Sequence, residues 1–402
     1  MKISRILIGA IICFIYCMTL SDAAAADVQG VTDKEIKLGS IITTSGPIAP
    51  IGIPCANGIQ DYVNYVNEEK GGVHGRKITV IVEDDQFKVP KAIAAYNKLW
   101  YRDKVFTMMT VIGCGQGVSL LPQYAKHNIV TFPLSSCREF TEPFNPHCFM
   151  VYRDYDDEVY VMFDYIFDDI GDKNPKIGLL YPDLQYGRDI RRAARVRAKQ
   201  YGIKVAAELV LNHGAVDASS QVMALKKAGV KYVIFVNTPG VMMTFFKNMS
   251  TIQYDPYVFT IHLANDELVP KLLGKKSKKF IGIDFVNSWH SDKPGVVLAR
   301  KNAEKANRGD LGKLPLQYSF GVGVAMAFVE GLQRTGRDLT LDKLRKAIET
   351  FNGWDADGLL APLTYTSTNH IGPKKMSVFK TDVEKKELVL IGWREPKKLG
   401  GH

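Results

Sequence analysis

The chain has 402 residues, 46% hydrophobic and 23% charged, with a formal charge of +10. That length and apolar content allow two complete cores of about 100 to 200 residues each. The basic residues are spread along the chain rather than stacked with aromatics, which argues against nucleic acid as a partner. The one local concentration, Arg188, Arg191, Arg192, Arg195 and Arg197, falls on a predicted helix, where a solvated face is the plain reading.

The N-terminus opens Met1, Lys2, Ile3, Ser4, Arg5, runs apolar from Ile6 to Leu20 and reaches alanines at 23 to 26. A basic start, a short apolar middle and an Ala-x-Ala end predict a secretory signal peptide over 1–26, cleaved after Ala26. A membrane anchor needs roughly twenty apolar residues, more than this run supplies. Neither Cys13 nor Cys17 follows Gly, Ala or Ser, so a lipid-anchored start is not expected, and the mature chain should be a soluble periplasmic protein. Four cysteines then remain, Cys55, Cys114, Cys137 and Cys148, an even count that suggests disulfides in an exported chain. The short loop with Pro143 and Pro146 favours Cys137 with Cys148. That leaves Cys55 and Cys114, both expected in strand-to-helix turns on one sheet edge, as a second pair. No metal-ligand spacing is present, and no cofactor is expected.

The first predicted strand, 36–42, ends in the polar turn Thr43, Thr44, Ser45, Gly46, Pro47. A helix follows with Ile59, Tyr62, Val63 and Val66 on one face, stopped by Gly71-Gly72. Next come a strand at 78–82, the acidic turn Glu83-Asp84-Asp85, and a helix from Pro90 carrying Ile93, Tyr96, Leu99 and Trp100. The run from Val105 to Ile112 reads as a buried strand ending in Gly113, Cys114, Gly115, Gln116, Gly117. A short helix leads to another apolar strand, 129–132, closed by Pro133, Leu134, Ser135, Ser136, Cys137. The carboxyl ends of parallel strands share an edge, so the glycine and serine turns should face one crevice. Backbone N–H groups at the glycine turn would open a helix and suit a carboxylate. The dinucleotide fingerprint is excluded by spacing, since Val118 or Leu120 stands where its third glycine belongs.

After the proline-bearing stretch 141–147 a second run of alternation begins, with strands at 176–181, 205–211, 232–237, 257–262 and 280–285 and helices between. Its strand ends carry Pro182 to Gly187, Asn237-Thr238-Pro239 and His262. A helix with Val322, Ala325, Met326 and Val329 on one face, another at 341–350, and short strands from 359 to 393 complete the chain. No Gly-x-Ser-x-Gly elbow surrounds Ser119, Ser135 or Ser136, and Asp84-Asp85 reads as a turn. Small hydroxyls, glycines and single aromatics at strand ends suit binding better than turnover.

Ser45-Gly46-Pro47, Gly58 opening an apolar helix, Gly71-Gly72-x-x-Gly75-Arg76, Glu83-Asp84-Asp85 with Pro90 and Ala92, the Gly113 turn, and Ser135-Ser136 before Phe140-Thr141 come in a telling order. Asp183, Tyr186, Gly187, Tyr318, Gly358, Pro362 and Leu363 continue it. Over essentially the whole mature chain this resembles the leucine/isoleucine/valine-binding proteins of bacterial ABC importers. The resemblance implies two doubly wound α/β lobes of the type I periplasmic binding protein fold, joined by three crossovers. Lobe one would hold 27–152 and 286–358, and lobe two 153–285 and 359–402. It also implies a monomer that closes on a small solute, is not an enzyme and delivers to a membrane permease. The ligand set implied is Gly115, Gln116, Ser135, Ser136 and Cys137, with Tyr186 and Thr238 from the second lobe; Ser45 and His262 join it from the strand ends. Where amino-acid binders of this type carry an acid, this chain has His262. A buried ammonium would lose its counter-charge there, so a carboxylate without an α-amino group, or a neutral amide, fits at least as well. A sensor with the same ligand, or an exported enzyme, are the rival readings.

Overall fold

The computed structural model describes residues 28–311 and 314–399. The leader expected at 1–26, with Cys13 and Cys17, lies outside the described residues. β1 (Glu35–Ile41), β2 (Lys77–Glu83) and β3 (Thr107–Val111) form a parallel sheet in the order β2-β1-β3. Every residue of β3 is buried, as a parallel strand covered on both faces requires. The connections are α1 (Ala49–Glu69) and α2 (Val89–Asn97), and α3 (Cys114–His127) leaves β3. The apolar run at 129–132 lies along this sheet through isolated bridges, Ile112 to Leu134 and Thr131 to Cys148. Phe132 N–H donates to Met109 O and Leu134 N–H to Val111 O, each at 2.9 Å. Pro133 has no N–H for the outer neighbour, and a continuous strand does not form.

The second sheet follows α4 (Tyr155–Tyr165). It contains β4 (Ile177–Tyr181), β5 (Ala207–Val210), β6 (Tyr232–Phe235), β7 (Tyr257–Thr260) and β8 (Phe280–Asp284), with helices α5 (Gln185–Gln200), α6 (Ser219–Lys227), α7 (Pro239–Thr251) and α8 (Leu268–Leu273) between them. The chain continues through α9 (Pro294–Lys305), α10 (Leu316–Thr335), α11 (Leu341–Ile348) and a small hairpin, β9 (Asn352–Trp354) with β10 (Leu363–Thr364). It ends with β11 (Met376–Asp382), antiparallel to β8, and β12 (Glu387–Arg394), antiparallel to β11, giving the order β12-β11-β8-β7-β6-β4-β5. Both sheets thus reverse winding direction, between β1 and β3 in one and between β4 and β6 in the other, and such switch points are where α/β sheets bind ligands.

α10 is buried at 16 of its 20 positions and packs along α1. Two glycines permit the approach. A Cβ at Gly58 would stand 2.2 Å from Tyr318 O, and one at Gly321 would stand 2.1 Å from Cys55 O. Across the second lobe the basic face of α5 is paired rather than merely solvated. Arg191 and Arg195 share Glu208, Arg192 binds Asp156, and Arg197 is fully buried on Asp164 under the ring of Tyr160.

The cysteine pairing expected from loop length is overturned. The disulfide joins Cys114 to Cys137, and Cys55 and Cys148 are free and buried. The reason is the edge-sharing of parallel strands. Cys114 opens α3 at the end of β3, and Cys137 follows the neighbouring segment's carboxyl end, 5.7 Å away by Cα. Cys148 sits beside Thr131 within the sheet, at the opposite end of its loop. Cys55 is not in a turn at all, because α1 starts at Ala49, and its thiol donates to Gln317 O at 3.2 Å.

Candidate functional site

Between the lobes lies a narrow cavity lined mainly by apolar and aromatic side chains with a few polar groups, the kind of lining that small-solute sites use. The first lobe supplies Ile48 and Ile51 from the start of α1, Phe87 beyond β2, Ile112, Gly113 and Cys114 at the end of β3, and Ser135. The second lobe supplies Tyr186 after β4, His213 after β5, and His262 with Leu263 after β7. Tyr152 and Tyr155 come from the crossing into α4, and Gln317 with Phe320 from α10.

At one end, Gly113 caps α3 with φ +98° and no side chain caps the helix. The first N–H groups of a helix have no partner within it, and their positive end favours an anion. The φ of +98° at Gly113 lies where side-chain-bearing residues are strained, so glycine suits this turn. Ser135 Oγ lies 3.3 Å from Cys114 Sγ, 3.4 Å from Cys137 Sγ and 3.4 Å from the Tyr155 hydroxyl. The disulfide thereby holds the serine turn against the start of α3. Burial pushes the phenols of Tyr152, Tyr155 and Tyr186 up, which keeps them protonated donors and acceptors.

At the other end, His262 Nδ1 stands 2.9 Å and 3.1 Å from the two oxygens of Glu158, and its backbone N–H donates to the same carboxylate at 3.1 Å. Glu158 is wholly buried and His262 nearly so. Burial opposes the charged ring, yet the Glu158 carboxylate outweighs it and raises the His262 pKa above its ordinary 6.5. Nε2 makes no hydrogen bond to the described protein and is the free pole of the ring. Tyr152 stacks on the imidazole at 4.8 Å. Glu158 is thus engaged by both the Nδ1 and the backbone N–H of His262.

The model of the periplasmic binding protein family matches residues 35–387. The chain belongs to that family. It is thus a periplasmic protein of a class that binds solutes rather than transforming them. Among curated proteins it is similar to Leu/Ile/Val-binding protein homolog 7 of Brucella suis biovar 1, 26% identical over 252 residues, which is 60% of this chain and 62% of that protein. It is also similar to homolog 1 of Brucella abortus, 26% identical over 212 residues, or 52% and 56% of the two chains. The match thus spans less than two thirds of these relatives. Among solved structures, a branched chain amino acid ABC transporter protein from Thermus thermophilus with bound valine superposes with a TM-score of 0.84 at 21% identity, covering 91% of this chain and 97% of that one. A fatty acid ABC transporter substrate-binding protein from Thermomonospora curvata gives 0.80 at 23% identity, covering 92% and 94%.

Within this periplasmic binding protein, Ser135, Tyr186 and His262 are brought to the cavity wall, and the other residues expected there are not. Ser45 faces Asp84, donating to Oδ2 at 2.5 Å. Burial opposes the Asp84 carboxylate, but the hydrogen bonds from Ser45, Gln86 and Thr44 hold its pKa below the usual value. Gly115 and Gln116 lie inside α3, with the Gln116 side chain folded over Gly113. Ser136 is buried and its carbonyl receives Tyr155 N–H at 3.1 Å. Cys137 is in the disulfide behind Ser135, and Thr238 is buried at the start of α7 with its N–H on Asn237 Oδ1. The wall residues that the sequence reading passed over are chiefly Tyr152, Tyr155, His213 and Gln317. His213 lies just past a strand end, and the rule that singled out His262 could have found it. Tyr152 and Tyr155 sit in an acidic, aperiodic crossing, and Gln317 near the start of a mostly buried helix, where no local pattern marks them.

Proposed function

We propose that this chain is the solute-binding component of an ABC importer, a monomer that captures a small carboxylate without an α-ammonium group by closing two lobes on it and then passes it to a membrane permease. The carboxylate sits at the open start of α3 beside Ser135 and Tyr155, and the apolar or aromatic body lies among the rings. One observation carries the choice of solute: Glu158, the acid beside the far end, is taken up by His262 at 2.9 Å. An ammonium buried there would find the Glu158 carboxylate already engaged by His262 and would lose several kcal/mol of compensation. The raised His262 pKa supports the same reading, because a protonated ring turns an N–H, not an acceptor, toward the solute. Proteins of this fold include one with bound valine and a fatty acid transporter substrate-binding protein, so the scaffold is compatible with acids with and without the amino group.

Titration calorimetry of the mature protein tests this with leucine and phenylalanine against isocaproate and phenylpropanoate, their counterparts lacking the amino group. The acids should bind more tightly by at least about tenfold, roughly 1.4 kcal/mol. Tighter binding of either amino acid would remove the proposal. Native mass spectrometry of protein purified without added solute would supply the identity of any small molecule that stays bound.

A further inference from the structure

We infer that the solute carries an uncharged hydrogen-bond donor next to its carboxylate, a 2-hydroxyl group received by the Tyr186 oxygen, so that the chain favours 2-hydroxy acids over their 2-oxo and unsubstituted counterparts. This rests on the carboxylate reading above for what is held beside Ser135, and deepens it.

The polarity of Tyr186 is set by the side chains behind it. Asn237 Nδ2 donates to Leu211 O at 2.6 Å, which sets the amide so that Oδ1 is the acceptor. That oxygen receives Thr238 N–H at 2.8 Å and stands 2.8 Å from His213 Nδ1. An acceptor there places the ring proton on Nδ1. Burial lowers the His213 pKa against the opposing pull of Asn237 and keeps the ring neutral. Its Nε2 is then a bare lone pair 3.1 Å from the Tyr186 hydroxyl, and it takes the phenol's proton. The Tyr186 oxygen is left with lone pairs only: it can receive a donor from the cavity, and it has no proton to give a carboxylate or a ketone.

Contacts on both sides of Tyr186 lead to the carboxylate end. Its ring packs on that of Tyr155 with centroids 5.7 Å apart, and the Tyr155 hydroxyl is 3.4 Å from Ser135 Oγ. On the hydroxyl side, the His213 ring meets Phe87 edge-on across the cleft at 6.2 Å, and Phe87 Cε2 stands 3.0 Å from where a Cβ on Gly113 would be. Each of these residues lines the cavity. A solute anchored at the start of α3 and at Ser135 therefore brings Tyr186 its near end, and the first carbon there that can bear a donor is the one bonded to the carboxylate. Glu158 is engaged by His262, and an ammonium buried without a counter-charge is costly. A hydroxyl needs only an acceptor, which Tyr186 supplies.

Calorimetry with isocaproate, the two enantiomers of 2-hydroxyisocaproate and 2-oxoisocaproate tests this. One enantiomer of the hydroxy acid should bind about tenfold more tightly than isocaproate, the gain from one hydrogen bond. The 2-oxo acid should bind no more tightly than isocaproate, since its added oxygen can only accept. Affinity ratios are compared within each variant, so that a loosened wall cancels. Tyr186→Phe should bring the hydroxyl ratio close to one. His213→Phe frees the phenol proton toward the cavity and should raise the 2-oxo acid above isocaproate, a shift that a merely structural role for His213 would not produce. Equal affinities for the three kinds of acid, a hydroxyl preference that survives Tyr186→Phe, or no binding of any of them, would overturn the inference. Binding of 2-hydroxyisocaproamide as tight as that of its acid, with the hydroxyl preference intact, would support the donor and overturn the carboxylate reading instead.

Discussion

His262, Glu158 and Asp284 make a buried polar group behind the solute cavity. Burial pushes the Asp284 carboxyl up to about 7, against the hydrogen bonds it receives from Asn265 and Phe285 N–H. Glu158 raises His262 above 6.5. In both groups the folded state holds its proton more tightly than the unfolded state. Their contribution to stability is therefore complete below the unfolded values of 3.8 and 6.5 and is lost as pH rises through the folded ones. For Asp284 the loss falls between pH 3.8 and about 7. Asp284→Asn removes that titration, and its amide can donate to Asn265 Oδ1, which has no partner in the native chain. Urea unfolding over a pH series from about 4 to about 8 should show a flatter loss of stability for the variant than for the native protein. Parallel curves would show that Asp284 does not titrate in that window.

At the scale of elements, the start of α3 and the serine turn are one unit because Cys114 and Cys137 are bonded. The bond closes a loop of 23 residues, for which chain-entropy arguments give about 3 kcal/mol. Peptide mapping without reduction should recover these two cysteines linked. Cys55 and Cys148 should be alkylated only after unfolding, since both are buried and burial pushes the Cys55 thiol up to about 12. The double variant Cys114→Ser, Cys137→Ser should lose about 3 kcal/mol in urea and bind solute more weakly, because Ser135 is held between the two sulfurs. Native stability in that variant would discredit the role given to the bond. The same unit shows where local pattern stops. A turn chemistry read from Gly113 to Gly117 is a helix from Cys114 onward, so Gly115 and Gln116 turn away and only the helix start meets the cavity.

At the scale of the whole molecule, the described contacts across the cleft include Gln185 Nε2 donating to Glu139 Oε1 at 2.7 Å, Gln317 Nε2 at 3.2 Å from His262 O and Leu263 O, and the rings of Phe87 and His213 meeting edge-on at 6.2 Å. A solute lodged between the lobes adds contacts to both. Small-angle scattering should show a smaller radius of gyration when a binding acid is added. Thermal or urea unfolding should show stabilisation of about 2.7 kcal/mol at a hundredfold excess over Kd. An unchanged radius with clear binding would mean that the lobes do not close on the solute.

Strand and helix alternation, the apolar strands and the polar strand ends are consequences of local periodicity, and they determined the two wound sheets and the edge on which the cavity lies. Tyr186 and His262 stand on that edge because each follows a strand whose end the hydrophobic pattern marks, and Ser135 because it follows the apolar segment that lies along β3. Which side chains turn inward was decided by tertiary structure. Gln116 folds over Gly113, Ser45 is drawn to Asp84, and Thr238 is buried at a helix start. The disulfide was also decided in three dimensions, since adjacent parallel strands bring together cysteines separated by 23 residues while a shorter loop carries its ends apart. The meaning of His262 depended on Glu158, 104 residues away in the chain. No local pattern connects them, and only the packing of α4 beneath the end of β7 makes them a pair.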